Sequence, residues 1–549
     1  MGPPEVDEAP RYAAGMALDP ASWNERAAEQ GPEPPEAGAD PKWWTLAAVC
    51  LGTFMLLLDI SIVNVALPTI QTALHANLAA LQWVVDAYAL TLAALLLTAG
   101  SLADMYGRRR LYVIGLGIFT AASGLCGAAQ SSLMLELSRG LQGVGGAVMF
   151  SVSLALLANA FHGRERGVAF GVWGAITGIA VAIGPIVGGV LVTGLSWRYI
   201  FFVNVPLGLV AAVLSVTRVV ESRDAQPRRP DWLGFVTFTG ALAGLVYALI
   251  ESGDAGFGAP SVLAGFAVAV VLLVAFVATE HRGDHPMFDL SLFRLPTFSG
   301  GAIAAFGVSV GVFSMLLYLV LYLQDVLGYS ALQTGLRLLV LSGGILAVSG
   351  LAGRLSARVP VRALIGPGLV LVGAGLLLMR GLTAGSSWTH LIAGLVLSGV
   401  GIGFVNPPLA STAVGVVEPH RAGMASGINS TFRQVGIATG IALLGTLFSN
   451  RLVSAVSAST RGTALASRAG AISGGLKSGA VPQLLRSVPA TQRHLLGLVL
   501  RGGFTTALDE ILLVAAIFSV VTGVLAFALI RSRDFVASGP PGQPPAAAH

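Results

Sequence analysis

The amino-acid sequence predicts an all-α integral membrane protein that crosses the bilayer fourteen times. Hydrophobic residues make up 54% of its 549 residues and charged residues 11%, whereas soluble proteins average about 25% charged residues. Fourteen apolar runs are each long enough to cross a hydrocarbon core, which takes about 20 helical residues. The net charge is +5. Because the basic residues fall in the gaps between these runs, we expect them to orient the helices in the membrane rather than to bind nucleic acid.

The predicted spans follow one another with mostly short connections. They cover residues 44–67, 81–103, 111–130, 133–160, 166–192, 197–217, 232–251, 260–279, 297–324, 332–355, 362–383, 388–414, 422–448 and 508–530. Residues 1–42 lack the basic start and apolar core of a signal peptide and predict a disordered tail. Residues 531–549 predict a second tail.

Arginine occupies every second gap, as an even number of spans with both termini in the cytoplasm requires. The gaps QTALHANLAA, AQSS and ESGDAGFGAP on the opposite side contain no Lys or Arg. One exception is the gap 449–507, which holds seven basic residues. Because long translocated segments escape the charge rule, we place it outside. The predicted location is the plasma membrane, with cytoplasmic N- and C-termini.

Several classes of chemistry find no support in the sequence. Cys50 and Cys126 both lie inside apolar runs, so we expect neither a disulfide framework nor a metal site. ATP binding needs a glycine–lysine phosphate loop, but the two lysines, Lys42 and Lys477, follow Pro and Leu. We therefore expect a secondary transporter without cofactors. A multi-pass membrane enzyme is the weakest alternative, because no HExxH, clustered His or paired Cys supports it.

A charged stretch, GSLADMYGRRRL (100–111), separates the second and third spans. An acid, a tight turn and the positive end of a helix together form an electrostatic latch. The stretch resembles the loop 2–3 signature of the major facilitator superfamily, which implies that it holds the cytoplasmic side shut in one conformation. The residues of this latch are Gly100, Asp104, Gly107, Arg108 and Arg109.

Further stretches resemble the drug:proton antiporters of that superfamily with fourteen helices. They include LDISIVNVALPTI (58–70), SRGLQGVGGA (138–147) and GPIVGG (184–189). The resemblance implies the major facilitator fold with helices arranged 6+2+6, and proton-driven export of hydrophobic, including cationic, organic compounds by a monomer. A substrate:proton symporter of the same fold is the alternative, and the sign of the pH effect on accumulation separates the two.

This arrangement divides the chain into five parts. They are the tail 1–42, an N-terminal six-helix bundle 43–217, an inserted helix pair with linkers 218–296, a C-terminal six-helix bundle 297–530 that includes an extracellular loop 449–507, and the tail 531–549.

The fifth span carries a strip of small residues, with Gly184, Pro185, Gly188 and Gly189 at its centre. Such strips let a second helix approach closely, and proline permits a bend. We interpret the strip as a pliable interface between the two halves that resists proton leak. Ordinary helix packing is the alternative interpretation.

Three ionisable residues lie inside the first half of the membrane domain: Asp59, Asp86 and Arg139. Placing a charged side chain inside a bilayer costs free energy, so the charged residues found there are usually functional or paired with another group. Two acids beside one arginine leave one carboxyl without a full partner. We assign proton coupling to Asp59. Arg139, with Gln142 beside it, would control the release of that proton as it moves closer to Asp59 or away from it. Asp86 would share in proton or cation binding. A static Asp59–Arg139 pair is the alternative.

The second half offers fewer polar groups. Arg433 lies near the middle of the thirteenth span, and Tyr318 and Tyr322 lie in the outward part of the ninth. The resemblance makes the ninth span a cavity helix, where aromatic faces would suit flat or cationic molecules. Interfacial or lipid-facing tyrosines are the alternative. No acid lies deep in this half, which argues against divalent cations as substrates.

Overall fold

The computed structural model describes Gly2 and residues 41–535, except 162, 224–229, 284–285, 287, 357, 418–421, 462, 464, 469 and 473–488. Within these residues the chain is helical and contains no strand. Thirteen helices are long and apolar enough to cross a membrane, and one further apolar helix has 17 residues. The predicted all-α membrane fold is confirmed. The predicted tails fall almost wholly outside the described residues.

Fourteen helices, α1 to α14, account for the predicted spans. They are Pro41–Leu74, Leu78–Tyr106, Arg108–Gly127, Ser132–Ala160, Gly163–Gly194, Tyr199–Arg218, Trp232–Ala255, Pro260–Arg282, Pro296–Val326, Ala331–Leu355, Arg362–Leu378, Ile392–Gly415, Ala422–Thr460 and Ala490–Leu529. We call the end of the bundle with the α2–α3 turn the cytoplasmic end and the opposite end the outer end, after the topology predicted from the arginines.

The helices pack as two groups of six. In the first group α1 packs against α5 and α2 against α4, and in the second group α9 packs against α13 and α10 against α12. The groups meet along α2 with α13 and along α5 with α10. The inserted helices α7 and α8 pack against each other, and α7 also covers the line where α2 meets α13. This arrangement places the groove between the two groups at the centre of the molecule.

Short polar signals set the helix ends near this groove. Asn77 caps α2 by accepting the amide of Ala80 at 2.8 Å, which satisfies a donor that the first helical turn leaves unpaired. The α2–α3 turn depends on Gly107, whose φ of 110° is a conformation that residues with a side chain rarely adopt. The predicted tight turn at this position is therefore present.

The segment 449–507, expected to be a loop, is largely helical where the structure describes it. Helices α13 and α14 have 39 and 40 residues, about twice the length that a bilayer requires. Their extensions pack through Val456, Leu465 and Leu496, which are fully buried. The sequence prediction missed this because basic residues lower the mean hydropathy of the segment, although its apolar residues keep a helical spacing.

Candidate functional site

A network of buried polar side chains joins three helices of the first group. Asp59 of α1, Arg139 and Gln142 of α4, and Asn204 of α6 have at most 1% of their surface exposed. Arg139 Nη1 donates to Asp59 Oδ2 at 2.5 Å and to Gln142 Oε1 at 2.6 Å. Gln142 Nε2 and Asn204 Nδ2 donate to Asp59 Oδ1 at 2.8 and 2.9 Å. Both oxygens of the Asp59 carboxylate therefore have partners.

Other groups hold Arg139 in place from a second direction. Its Nε donates to the carbonyl of Val84 at 3.0 Å, and its guanidinium lies 4.3 Å from the centre of the Tyr88 ring. A buried guanidinium needs both an anion and further acceptors to offset its desolvation, and these contacts supply them. The predicted neighbourhood of Asp59, Arg139 and Gln142 is thus present in the structure.

Asp86 lies apart from this network. It is fully buried, and neither carboxylate oxygen has a hydrogen-bond partner among the described residues. On α2 it shares a face with Gln82 and Ala93, which are four residues before it and seven after it. Gln82 donates to the carbonyl of Ile441 in α13 at 2.9 Å, and the Ala93 carbonyl lies 3.5 Å from the Thr431 hydroxyl. Asp86 is therefore enclosed where α2 meets α13, between the two groups of helices.

The outer parts of α5 and α10 are in close contact through the predicted glycine strip. A Cβ on Gly189 would lie 2.6 Å from Leu332 Cα, and one on Gly188 would lie 2.9 Å from Ile62 of α1. Gly335 of α10 packs against the Pro185 carbonyl in the same way. Only glycine permits such separations, so the strip closes the outer end.

The same faces separate toward the cytoplasmic end. On α5 the strip continues through Gly178 to Gly174 and Gly171, and on α10 the contact face continues to Leu346 and Gly350. A Cβ on Gly178 would still lie 3.6 Å from Leu346, but Gly174, Gly171 and Gly350 have no atom within 4 Å of such a position. The faces of α5 and α10 are thus in contact at the outer end and apart toward the cytoplasmic end, whereas α2 and α13 stay in contact there, with Gly427 against the Leu97 side chain.

A central cavity begins beneath the closed outer contact. Residues of both groups line it, and most are apolar. They are Ile60, Ser61, Asn64, Val65, Val181, Pro185, Val312, Phe313, Leu316, Leu338, Leu341, Ser342, Ile345 and Ile402. The polar side chains in its wall are Ser61, Asn64 and Ser342.

The predicted latch residues are held together by a partner that the sequence reading missed. Arg108 Nε donates to Asp104 Oδ1 at 2.9 Å. The carboxylate of Glu221, which follows α6, accepts the amides of Arg109 and Arg110 at 3.0 and 3.1 Å. This carboxylate therefore occupies the positive N-terminus of α3. A Cβ on Gly107 would lie 2.8 Å from the Glu221 side chain, a second reason for glycine there. Gly100 lies in α2, one turn before Asp104.

The other predicted cavity residues lie in different surroundings. Tyr318 and Tyr322 are fully buried, and their hydroxyls donate to the carbonyls of Ile441 and Ser386. Neither tyrosine lines the cavity in this conformation. Arg433 is partly exposed and donates to Asn406 Oδ1 at 3.1 Å.

Comparison with known proteins gives one family. The Major Facilitator Superfamily matches residues 49–441. A multidrug resistance protein, Stp, of Mycobacterium tuberculosis is 40% identical over 73% of this chain and 75% of its own. The puromycin resistance protein pur8 of Streptomyces alboniger is 37% identical over 77% and 84% of the two chains. The tetracenomycin C resistance and export protein of Streptomyces glaucescens is 34% identical over 75% and 76%.

A solved structure shares the fold. The crystal structure of a bacterial homologue of the human lysosomal transporter Spinster, in an inward-facing and unoccupied conformation, superposes with a TM-score of 0.61 at 16% identity. The match covers 92% of this chain and all of the other.

Proposed function

This chain belongs to the major facilitator superfamily, as a multi-pass membrane transporter of the drug efflux type, and from this premise we propose that it exports hydrophobic organic compounds in exchange for protons. The exporter works as a monomer in the plasma membrane with both termini in the cytoplasm. Its substrates are antibiotic-like compounds, as the names of its relatives suggest, and the largely apolar cavity supports this class. The described conformation is then open toward the cytoplasm between α5 and α10.

The observation that carries the proton coupling is the buried, unpartnered carboxyl of Asp86. An ionised carboxylate inside a membrane costs about 3 kcal/mol, and neither a cation nor a donor offsets that cost here. Closure of the outer end over Asp86 therefore favours the protonated acid. When α2 and α13 separate at the outer end, the carboxyl becomes accessible to a proton from outside.

This dependence of closure on protonation has the sign that antiport needs. A proton taken up from outside allows the outer end to close and the cavity to open toward the cytoplasm, where substrate enters. Substrate binding must then favour loss of the proton, because exchange requires that joint occupancy be disfavoured. The cycle moves substrate out and protons in.

Asp59 has a different role in this scheme. Its two oxygens accept hydrogen bonds from Arg139, Gln142 and Asn204, so both oxygens already have partners within the protein. We therefore assign the transported proton to Asp86, and we assign to the Asp59–Arg139 pair the positioning of α1 against α4. From the sequence alone, Asp59 was the main candidate for proton coupling and Asp86 had a minor share, so this assignment exchanges their roles.

The test uses purified protein in proteoliposomes with an imposed pH gradient. One pH unit is worth about 1.4 kcal/mol per proton, which supports about tenfold accumulation of a neutral substrate. Asp86→Asn mimics the protonated acid, so it should bind substrate more weakly than the wild type, because joint occupancy is disfavoured, and should lose gradient-driven accumulation. Glu251→Gln, which removes a carboxyl at the outer end of α7, is the matched control and should keep it.

Three outcomes would count against the proposal. Full accumulation by Asp86→Asn would remove Asp86 from the coupling step. Loss of coupling in Asp59→Asn, with normal folding and with Asp86→Asn unaffected, would return the role to Asp59. Accumulation of substrate in the direction of proton flow would replace antiport by symport.

A further inference from the structure

Arg433 is an intramembrane cation that has no acidic partner within the part of the chain that the structure describes. It lies 11 residues into α13, about 16 Å from the start of the helix at 1.5 Å per residue. Its guanidinium donates to a neutral group, Asn406 Oδ1, at 3.1 Å. Arg139 in the first group, by contrast, has the carboxylate of Asp59 at 2.5 Å. The burial of Arg139 is therefore offset by a carboxylate, whereas Arg433 has a neutral amide as its acceptor.

The composition of the second group explains why none of its described acids pairs with Arg433. Between residues 296 and 529 the sequence contains four Asp or Glu residues. Asp325 and the pair at 509 and 510 lie toward the outer ends of α9 and α14, and Glu418 precedes α13. Asp509 accepts backbone amides near residue 381, and Glu510 pairs with Arg451 at 2.7 Å.

Arg433 lies next to a helix that lines the cavity, although neither Arg433 nor its partner Asn406 is among the lining residues. Asn406 lies one helical turn from Ile402 on the same face of α12, and Ile402 lines the cavity. Both Arg433 and Asn406 are partly exposed. A guanidinium has five donors, so a single bond to an amide oxygen leaves donors for an incoming anion.

A second polar group nearby also lacks a partner. Asn429 lies four residues before Arg433 on the same face of α13, and its buried Oδ1 has no hydrogen-bond partner among the described residues. An amide oxygen of this kind can accept a hydrogen bond from a hydroxyl or an ammonium group. Guanidinium and amide together match a molecule that carries an acidic group beside a donor.

We propose that Arg433 binds the acidic group of the substrate and that the Asn429 amide oxygen accepts a hydrogen bond from a donor beside that group, so that the transporter prefers amphipathic organic acids to organic cations. Planar, delocalised guanidinium groups bind carboxylates in a two-point geometry that an ammonium group does not reproduce. The inference rests on the proposed export function and specifies its substrate class. The substrate is then an anion, whereas the aromatic side chains of α9 by themselves suggested flat or cationic molecules.

The test compares two xanthene dyes of similar shape, the anion fluorescein and the cation rhodamine 123, on the purified full-length protein. Arg433→Gln should weaken fluorescein binding about tenfold or more, the effect of losing charge-assisted hydrogen bonds, and should change rhodamine binding less than about twofold. Arg433→Lys should fall between. Arg354→Gln, which removes an exposed arginine at the cytoplasmic end of α10, is the matched control and should change neither.

Asn429→Asp provides an independent arm if Arg433→Gln does not fold. An acid one turn from Arg433 would neutralise it internally and should lower the affinity for fluorescein while raising that for rhodamine 123. Equal losses for both dyes, unchanged fluorescein binding in Arg433→Gln, or no fluorescein binding by the wild type would overturn the proposal. In each of those cases, gradient-driven export of rhodamine 123 by the wild type would still support the proposed exchange of substrate for protons. Transport of neither dye would count against the exchange function as well as against the preference for acids.

Discussion

Replacing Gly189 by alanine should shift the transporter toward an outward-open conformation. The new Cβ would lie 2.6 Å from Leu332 Cα and 2.9 Å from the Ala331 carbonyl oxygen. Carbon atoms in contact normally lie about 3.5–4.0 Å apart, so α5 and α10 would have to separate by about 1 Å. Both neighbours are backbone atoms, which cannot move aside as a flexible side chain would.

The size of the shift follows from the cost of overpacking. Extra methyl groups in a packed interface cost about 1–3 kcal/mol. Because the strain exists only while the outer end is closed, it changes the ratio of the two conformations by about 5- to 150-fold. Helix propensity works in the opposite direction, since alanine favours a helix over glycine by about 1 kcal/mol. A loss of closure therefore cannot come from a weakened helix.

Spin labels on Leu195 and Ser330, which are exposed at the outer ends of α5 and α10, measure the separation directly. Gly189→Ala should increase the population with a long distance. Gly174→Ala is the matched control, because its Cβ would meet no atom within 4 Å. Identical distance distributions for Gly189→Ala and the wild type would refute the proposed closure by close helix contact.

Three further predictions concern the cytoplasmic end and the topology. Asp104→Asn should slow transport while insertion and expression stay near normal, because the orienting arginines remain; wild-type turnover would leave the cluster with an orienting role alone. Glu221→Gln should lower the free energy of unfolding by about 1–2 kcal/mol, because it removes a half-buried carboxylate from the N-terminus of α3. An unchanged thermal melting curve would contradict this. A tag after His549 should be cytoplasmic, whereas a cysteine at Ser467 should react with an impermeant reagent from outside; labelling at 467 only from the cytoplasm would reverse the placement of the helical extension.

Local features of the sequence were enough to predict much of the site. Arg139 stands out because a lone arginine inside an apolar run needs an anion, and Asp59 is its expected partner. The glycine strip was interpreted as an interface between the two halves, but the sequence did not show which helices form it: α10 of the second half packs against Gly189, and α1 of the first half packs against Gly188. Asn204 and Glu221 were missed because an amide in a helix and an acid after one are common when viewed without their neighbours.

The sequence by itself determined the membrane class, the fourteen helices and the charges that must be buried, because hydropathy and the cost of an intramembrane charge act along the chain. Only the tertiary structure decided how those charges are satisfied. Hydrogen bonds join residues as distant as Asp59 and Asn204, and their formation depends on which helices pack together. For that reason Asp86 and Arg433 could be recognised as lacking full partners only after folding had distributed the available donors and acceptors.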